Sequence, residues 1–167
     1  MSVPDDLIEQ ARHLARREPR RPRQASLRRA VSAAYYALFH SITRRAGYNL
    51  LMGGSARSYR PILGRMFEHA KMKDAALKHR NARADDWLVT NATMPLSADL
   101  RQVADAFLQL QAERHRADYD LRPSARFTRS ETNDLVELAE DALAAWQRVS
   151  PDEAVRFVLA CLGAGRR

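Results

Sequence analysis

Cysteine is nearly missing from this chain: Cys161 is the only one among 167 residues. A single thiol cannot build a disulfide framework, so packing must hold the fold, and a reducing, cytoplasmic setting is expected. Long apolar runs are missing too. No uninterrupted stretch approaches the ~18 residues that span a bilayer, so no membrane partnership is expected. The opening MSVPDDLIEQ carries acids and no apolar segment, which argues against a secretory signal. Sustained period-two alternation is absent, and with it the signature of half-buried strands.

Several chemistries lack their signals. There is no HExxH, no CxxC and no grouping of His, Cys and carboxylates at metal-ligand spacing, so no metal or other cofactor is expected. The five histidines are scattered at positions 13, 40, 69, 79 and 115. Gly53-Gly54 is not followed by Lys-Ser or Lys-Thr, which excludes a phosphate loop, and no GxSxG elbow offers a serine nucleophile.

What is present is a globular composition, 46% hydrophobic and 29% charged, in a length suited to one domain. The net charge of +8 is unevenly spread. Residues 1–83 hold 18 Lys and Arg against 6 Asp and Glu, whereas residues 84–167 hold 10 against 14. A surface for a polyanion or an acidic partner, or a plain solvated arginine-rich face, would each give this asymmetry.

Helical spacing accounts for the whole sequence. Pro4, Asp5 and Asp6 start a helix whose stripe is Leu7, Ile8, Ala11, Leu14 and Ala15. The segment EPRRPRQAS then reads as an arginine-bearing linker. The longest helix is expected from Gln24 to about Ala46, packing Leu27, Val31, Ala34, Leu38 and Ile42, widened by Ala30, Tyr35 and Phe39, with Gly47 ending it. A third helix is expected from a Ser58 cap through Ile62, Leu63, Met66 and Phe67 into the seventies. Residues 71–93, polar apart from Trp87-Leu88, read as loop. Pro95 and Ser97 open a helix with Leu100, Val103, Phe107 and Leu110 inward, closed by Pro123. Thr128-Arg-Ser-Glu131 is a capping box before a helix carrying Leu135, Leu138, Ala142, Leu143 and Trp146. Ser150-Pro-Asp-Glu153 starts a last short helix at about 151–162. The expectation is an all-α, up-and-down bundle of five or six helices in a single domain over 1–167, its core at about 5–148.

One residue breaks the pattern. Extending the stripe past Leu110 makes the next inward position Arg114, in QAERHRADYDL. An intrahelical pair with Asp118 would explain it; so would a groove in which its guanidinium binds a phosphate. On the long helix, Arg29, Ser32, Tyr36 and His40 follow at three- and four-residue steps. They read either as buried hydrogen-bonding anchors or as the wall of the same groove.

Two of these stretches together resemble prokaryotic HEPN domains. LRRAVSAAYYALFH, residues 27–40, is similar to the family's long helix, with its R-x-x-S-x-x-Y-Y-A-x-F-H pattern. LQAERHRADYDL, residues 110–121, looks like its later helix, where an arginine precedes a short polar and aromatic signature. The resemblance implies a helical bundle that dimerises and binds RNA or nucleotide. It also implies a metal-independent endoribonuclease acting as a toxin in toxin–antitoxin or phage-defence systems, with an antitoxin partner such as a nucleotidyltransferase. The family's active site pairs the arginine with a histidine four to six residues on. This chain departs there: Arg114 carries over, but no histidine follows at that spacing, and Asp118 or Tyr119 falls near its place.

RNA cleavage through its own 2′-hydroxyl needs proton carriers near neutrality, which histidine supplies. Aspartates at about 4 and tyrosines at about 10 ordinarily do not. The candidate catalytic residues are therefore Arg114, Asp118, Tyr119 and His115, the last about 100° round the helix from Arg114 and on the face of Tyr119. Candidate nucleic-acid contacts are Arg29, Tyr36 and His40, with Arg20, Arg21 and Arg23 of the linker as backbone contacts. The other reading open to this sequence is a non-catalytic binding or interaction module that retains the fold.

Overall fold

The structure, a computed structural model, describes residues 2–18, 20–81 and 96–163. Among them every regular element is helical, and no helix is long and apolar enough to cross a membrane. The described residues form seven α-helices, where five or six were expected for the chain: α1 (Val3–Arg16), α2 (Gln24–Leu50), α3 (Arg60–Arg65), α4 (His69–Arg80), α5 (Ala98–Tyr119), α6 (Arg129–Arg148) and α7 (Pro151–Cys161). Short 3-10 turns cover Ser55–Tyr59 and Pro123–Ala125.

The described residues pack as two compact units. The first comprises residues 1–40 and 106–144. Leu27, Val31, Ala34, Leu38, Phe107 and Leu110 are at most 1% exposed, so the stripes of α2 and α5 are core, whereas Leu138 of α6 is half-buried. Tyr35 fills the centre with its ring 5.5 Å from Phe107, and burial pushes its hydroxyl pKa up. Within this unit α2 and α5 run antiparallel: Arg28 reaches the carbonyls of Arg116 and Ala117, while Tyr36 meets Arg114. α1 and α6 are antiparallel as well, tied by Arg12 to Glu140 and by Arg129 to the carbonyl of Glu18. Gln24 closes the turn before α6, its amide donating to the Phe127 carbonyl (2.7 Å) and accepting from the Phe127 N–H (2.9 Å). The Thr128/Glu131 capping box forms in both directions.

The second unit comprises residues 41–105 and 145–167. Trp146 is fully buried, donating from its indole to the Ser41 carbonyl. Arg45 lies over the same ring at 4.8 Å and caps the end of α6 through the carbonyls of Trp146 and Val149. Its burial lowers its pKa from the usual arginine value. Glu153, itself buried, accepts from the N–H of Ser97 (2.8 Å) while Ser150 caps α7 through the N–H of Glu153 (3.3 Å). The same carboxylate accepts from the Ser150 hydroxyl at 3.2 Å and so touches the starts of two helices.

Three expectations are corrected in this unit. α2 continues past Gly47 to Leu50; a Cβ at 47 would meet the Arg60 side chain at 3.4 Å, an ordinary contact, so the glycine neither ends the helix nor is required by its neighbour. Arg60 then donates to the Leu51 carbonyl (3.1 Å), and the left-handed residue is Gly53, at φ 101°. The expected third helix is two helices, broken at Phe67-Glu68; Phe67 is buried, but Ile62 and Met66 are exposed, and Ser58 belongs to the preceding 3-10 turn. Residues 71–80 are helix, not loop: Met72, Ala75, Ala76 and His79 form its buried stripe, with His79 edge-on to Phe157 at 4.9 Å. Trp87-Leu88 and Pro95 lie outside the described residues.

Candidate functional site

The first unit carries a cleft of about 910 Å³. Leu7, Gln10 and Leu14 of α1 form one side. The two leucines, expected in the core, are only half-buried because they face this space, while Ile8, Ala11 and Ala15 are buried. Arg28, Arg29, Ser32 and Tyr36 of α2 form a second side, one residue per helical turn or part-turn. Arg114, Ala117, Asp118 and Tyr119 of α5 complete it. Three arginines face one aspartate, so the lining is net positive.

Arg114 forms the expected intrahelical pair: its Nε lies 2.7 Å from Asp118 Oδ2, with the two side chains 16% and 24% exposed. It also faces the cleft. Its terminal nitrogen donates to the Tyr36 hydroxyl at 2.8 Å, and its guanidinium lies 5.4 Å from the ring centres of both Tyr36 and Tyr119. Burial works against its charge, but Tyr36, Asp118 and Tyr119 outweigh that and raise its pKa above the ordinary arginine value. Asp118 is held from its other oxygen by the Ser32 hydroxyl at 2.6 Å. Ser32, Asp118, Arg114 and Tyr36 are therefore one connected polar chain linking α2 to α5.

The other candidates divide. Arg29 is exposed, lines the cleft, and has no carboxylate within ion-pair reach among the described residues. Tyr119 also lines it, with 62% of its surface exposed. His115 lies tilted against Tyr119, ring centres 4.9 Å apart, as their shared face implies, but is not in the lining. His40 lies outside the lining too, stacked on Tyr36 at 6.1 Å, and its burial lowers its pKa. Arg20, Arg21 and Arg23 are exposed and stand apart from the cleft lining.

Sequence reasoning passed over Arg28. Its guanidinium donates to the carbonyls of Ala117 (2.9 Å), Asp120 (2.7 Å) and, from its second terminal nitrogen, Ala125 (3.2 Å). These include the last carbonyls of α5, where the helix dipole ends negative. Arg28 thereby offsets that charge beside the Arg114–Asp118 pair. One signal was available: residues 19–67 contain ten arginines and no carboxylate, so these arginines cannot be neutralised by sequence neighbours on their own stretch.

Chemically, the cleft offers guanidinium donors for an oxyanion, an exposed aromatic face for a planar group and an apolar wall of leucines. None of the five histidines lines it. Comparison with protein-family models, curated proteins and solved structures gives no match to this chain.

Proposed function

We propose that this chain is a HEPN-like protein that binds RNA or a nucleotide in the α1–α2–α5 cleft without cleaving it. The carrying observation is Arg114, held at the cleft wall by Asp118 and Tyr36, with Arg29 open on the same lining. Arginine's planar fork suits phosphate oxygens, and Tyr119 can take a base by stacking. Binding is favoured over catalysis because no histidine faces the cleft and Asp118 is engaged by both Arg114 and Ser32. A second copy, an antitoxin partner such as a nucleotidyltransferase and a cytoplasmic toxin–antitoxin or phage-defence role follow from the resemblance.

Fluorescence anisotropy with a labelled single-stranded RNA tests the reading, alongside a gel of the same RNA after incubation in EDTA. Saturable binding to intact RNA is expected, weakened about tenfold by Arg29→Ala and by Arg114→Ala. Cleavage products that disappear in Arg114→Ala would instead favour the endoribonuclease. Equal binding by wild type and both variants would contradict the cleft as the site.

A further inference from the structure

We propose that the Asp118 carboxylate is a built-in occupant of the cleft's anion seat, and that a phosphate-bearing ligand binds by displacing it; this rests on the cleft's reading as a phosphate site. Two groups meet this carboxylate from different helices: the Arg114 guanidinium as an ion pair, its Nε 2.7 Å from Oδ2, and the Ser32 hydroxyl, which donates to Oδ1 at 2.6 Å. Together they make a seat for a two-oxygen anion, and Asp118 fills it. Ser32 is only 5% exposed, so its hydroxyl needs an acceptor if Asp118 leaves. An incoming phosphate oxygen supplies one.

The two partners of the pair differ in freedom. Arg114 is fixed by the Tyr36 hydroxyl and by two rings. Asp118 lies in the last turn of α5, its side chain the more exposed of the two, so its carboxylate can rotate toward solvent with little loss of packing. The surroundings also carry more positive charge than one carboxylate neutralises. Arg28 covers the negative end of α5, and Arg29 has no ion-pair partner among the described residues. A phosphate dianion gains from that excess, whereas a free carboxylate brings no more charge than Asp118 and loses translational freedom that the tethered group does not. Asp118 therefore makes the cleft select phosphate over simple carboxylates.

Isothermal titration of inorganic pyrophosphate and of acetate into wild type, Asp118→Asn, Asp118→Ala and Arg114→Ala tests this, with circular dichroism confirming the helical content of each. Both Asp118 variants are expected to bind pyrophosphate about tenfold more tightly than wild type, and Arg114→Ala more weakly. Acetate binding is expected only in the Asp118 variants. If pyrophosphate binds wild type and both Asp118 variants bind it equally or less tightly, Asp118 serves only to position Arg114; the inference is then overturned while the binding site stands. No pyrophosphate binding by any of the four proteins overturns both.

Discussion

Arg28 and Arg114 are both drawn into the first unit, yet they answer different needs. Arg28 satisfies backbone carbonyls at the end of α5 and at Ala125. Replacing it with alanine leaves those acceptors short of a charged donor and is expected to cost about 2–3 kcal/mol, read as a fall of several degrees in the melting temperature. Arg28→Lys should recover only part of that, since one ammonium cannot fork between carbonyls. His40 gives a pH signature. Burial lowers its folded pKa below 6.5, so the unfolded chain binds more protons and stability falls as pH drops through 6.5 toward the folded value. In His40→Gln, melting temperatures measured between pH 8 and 5 should vary less steeply than in wild type; identical slopes would count against it. Arg114 was legible because a charge interrupts an otherwise unbroken apolar stripe. Arg28 was not, because its partners are carbonyls some 90 residues away, and sequence spacing carries no information about them.

α2, α5 and α6 announce themselves through large residues at three- and four-residue steps, and the caps expected before α6 and α7 form their hydrogen bonds. α4 does not, since its buried face is Met72, two alanines and a histidine, too little apolar bulk to outweigh the lysines between them. The break before it is equally silent: Phe67 turns inward while Ile62 and Met66, of the same apolar run, stay exposed. Gly47 read as a terminator, but the helix runs on through it to Leu50. The Glu153 carboxylate links two elements of the second unit, accepting from the N–H of Ser97 before α5 and from the hydroxyl of Ser150 before α7. Glu153→Ala is expected to destabilise by about 1–2 kcal/mol, more than an exposed cap, because the N–H of Ser97 loses its acceptor. Urea unfolding monitored at 222 nm measures it; a loss no larger than that of Asp152→Ala, the exposed acid beside it, would contradict the double role.

For the molecule as a whole, the all-helical class was legible from periodicity alone, whereas the charge asymmetry suited an anionic partner and a solvated arginine-rich face alike. What spacing could not convey was which polar residues would share one space. Arg29, Tyr36, Arg114, Asp118 and Tyr119 meet in the cleft, whereas His40, His115 and the linker arginines do not line it. That separation depends on how α1 and α5 pack on α2, and spacing along the chain carries no information about it. The claim that RNA lies in this cleft is open to direct mapping. Photocrosslinking of the protein to single-stranded RNA carrying 4-thiouridine, followed by mass spectrometry of the adducts, locates the bound bases. The account predicts adducts on peptides containing Tyr36 or Tyr119, lost in Arg114→Ala. Adducts confined to the second unit, unchanged by that substitution, would contradict it.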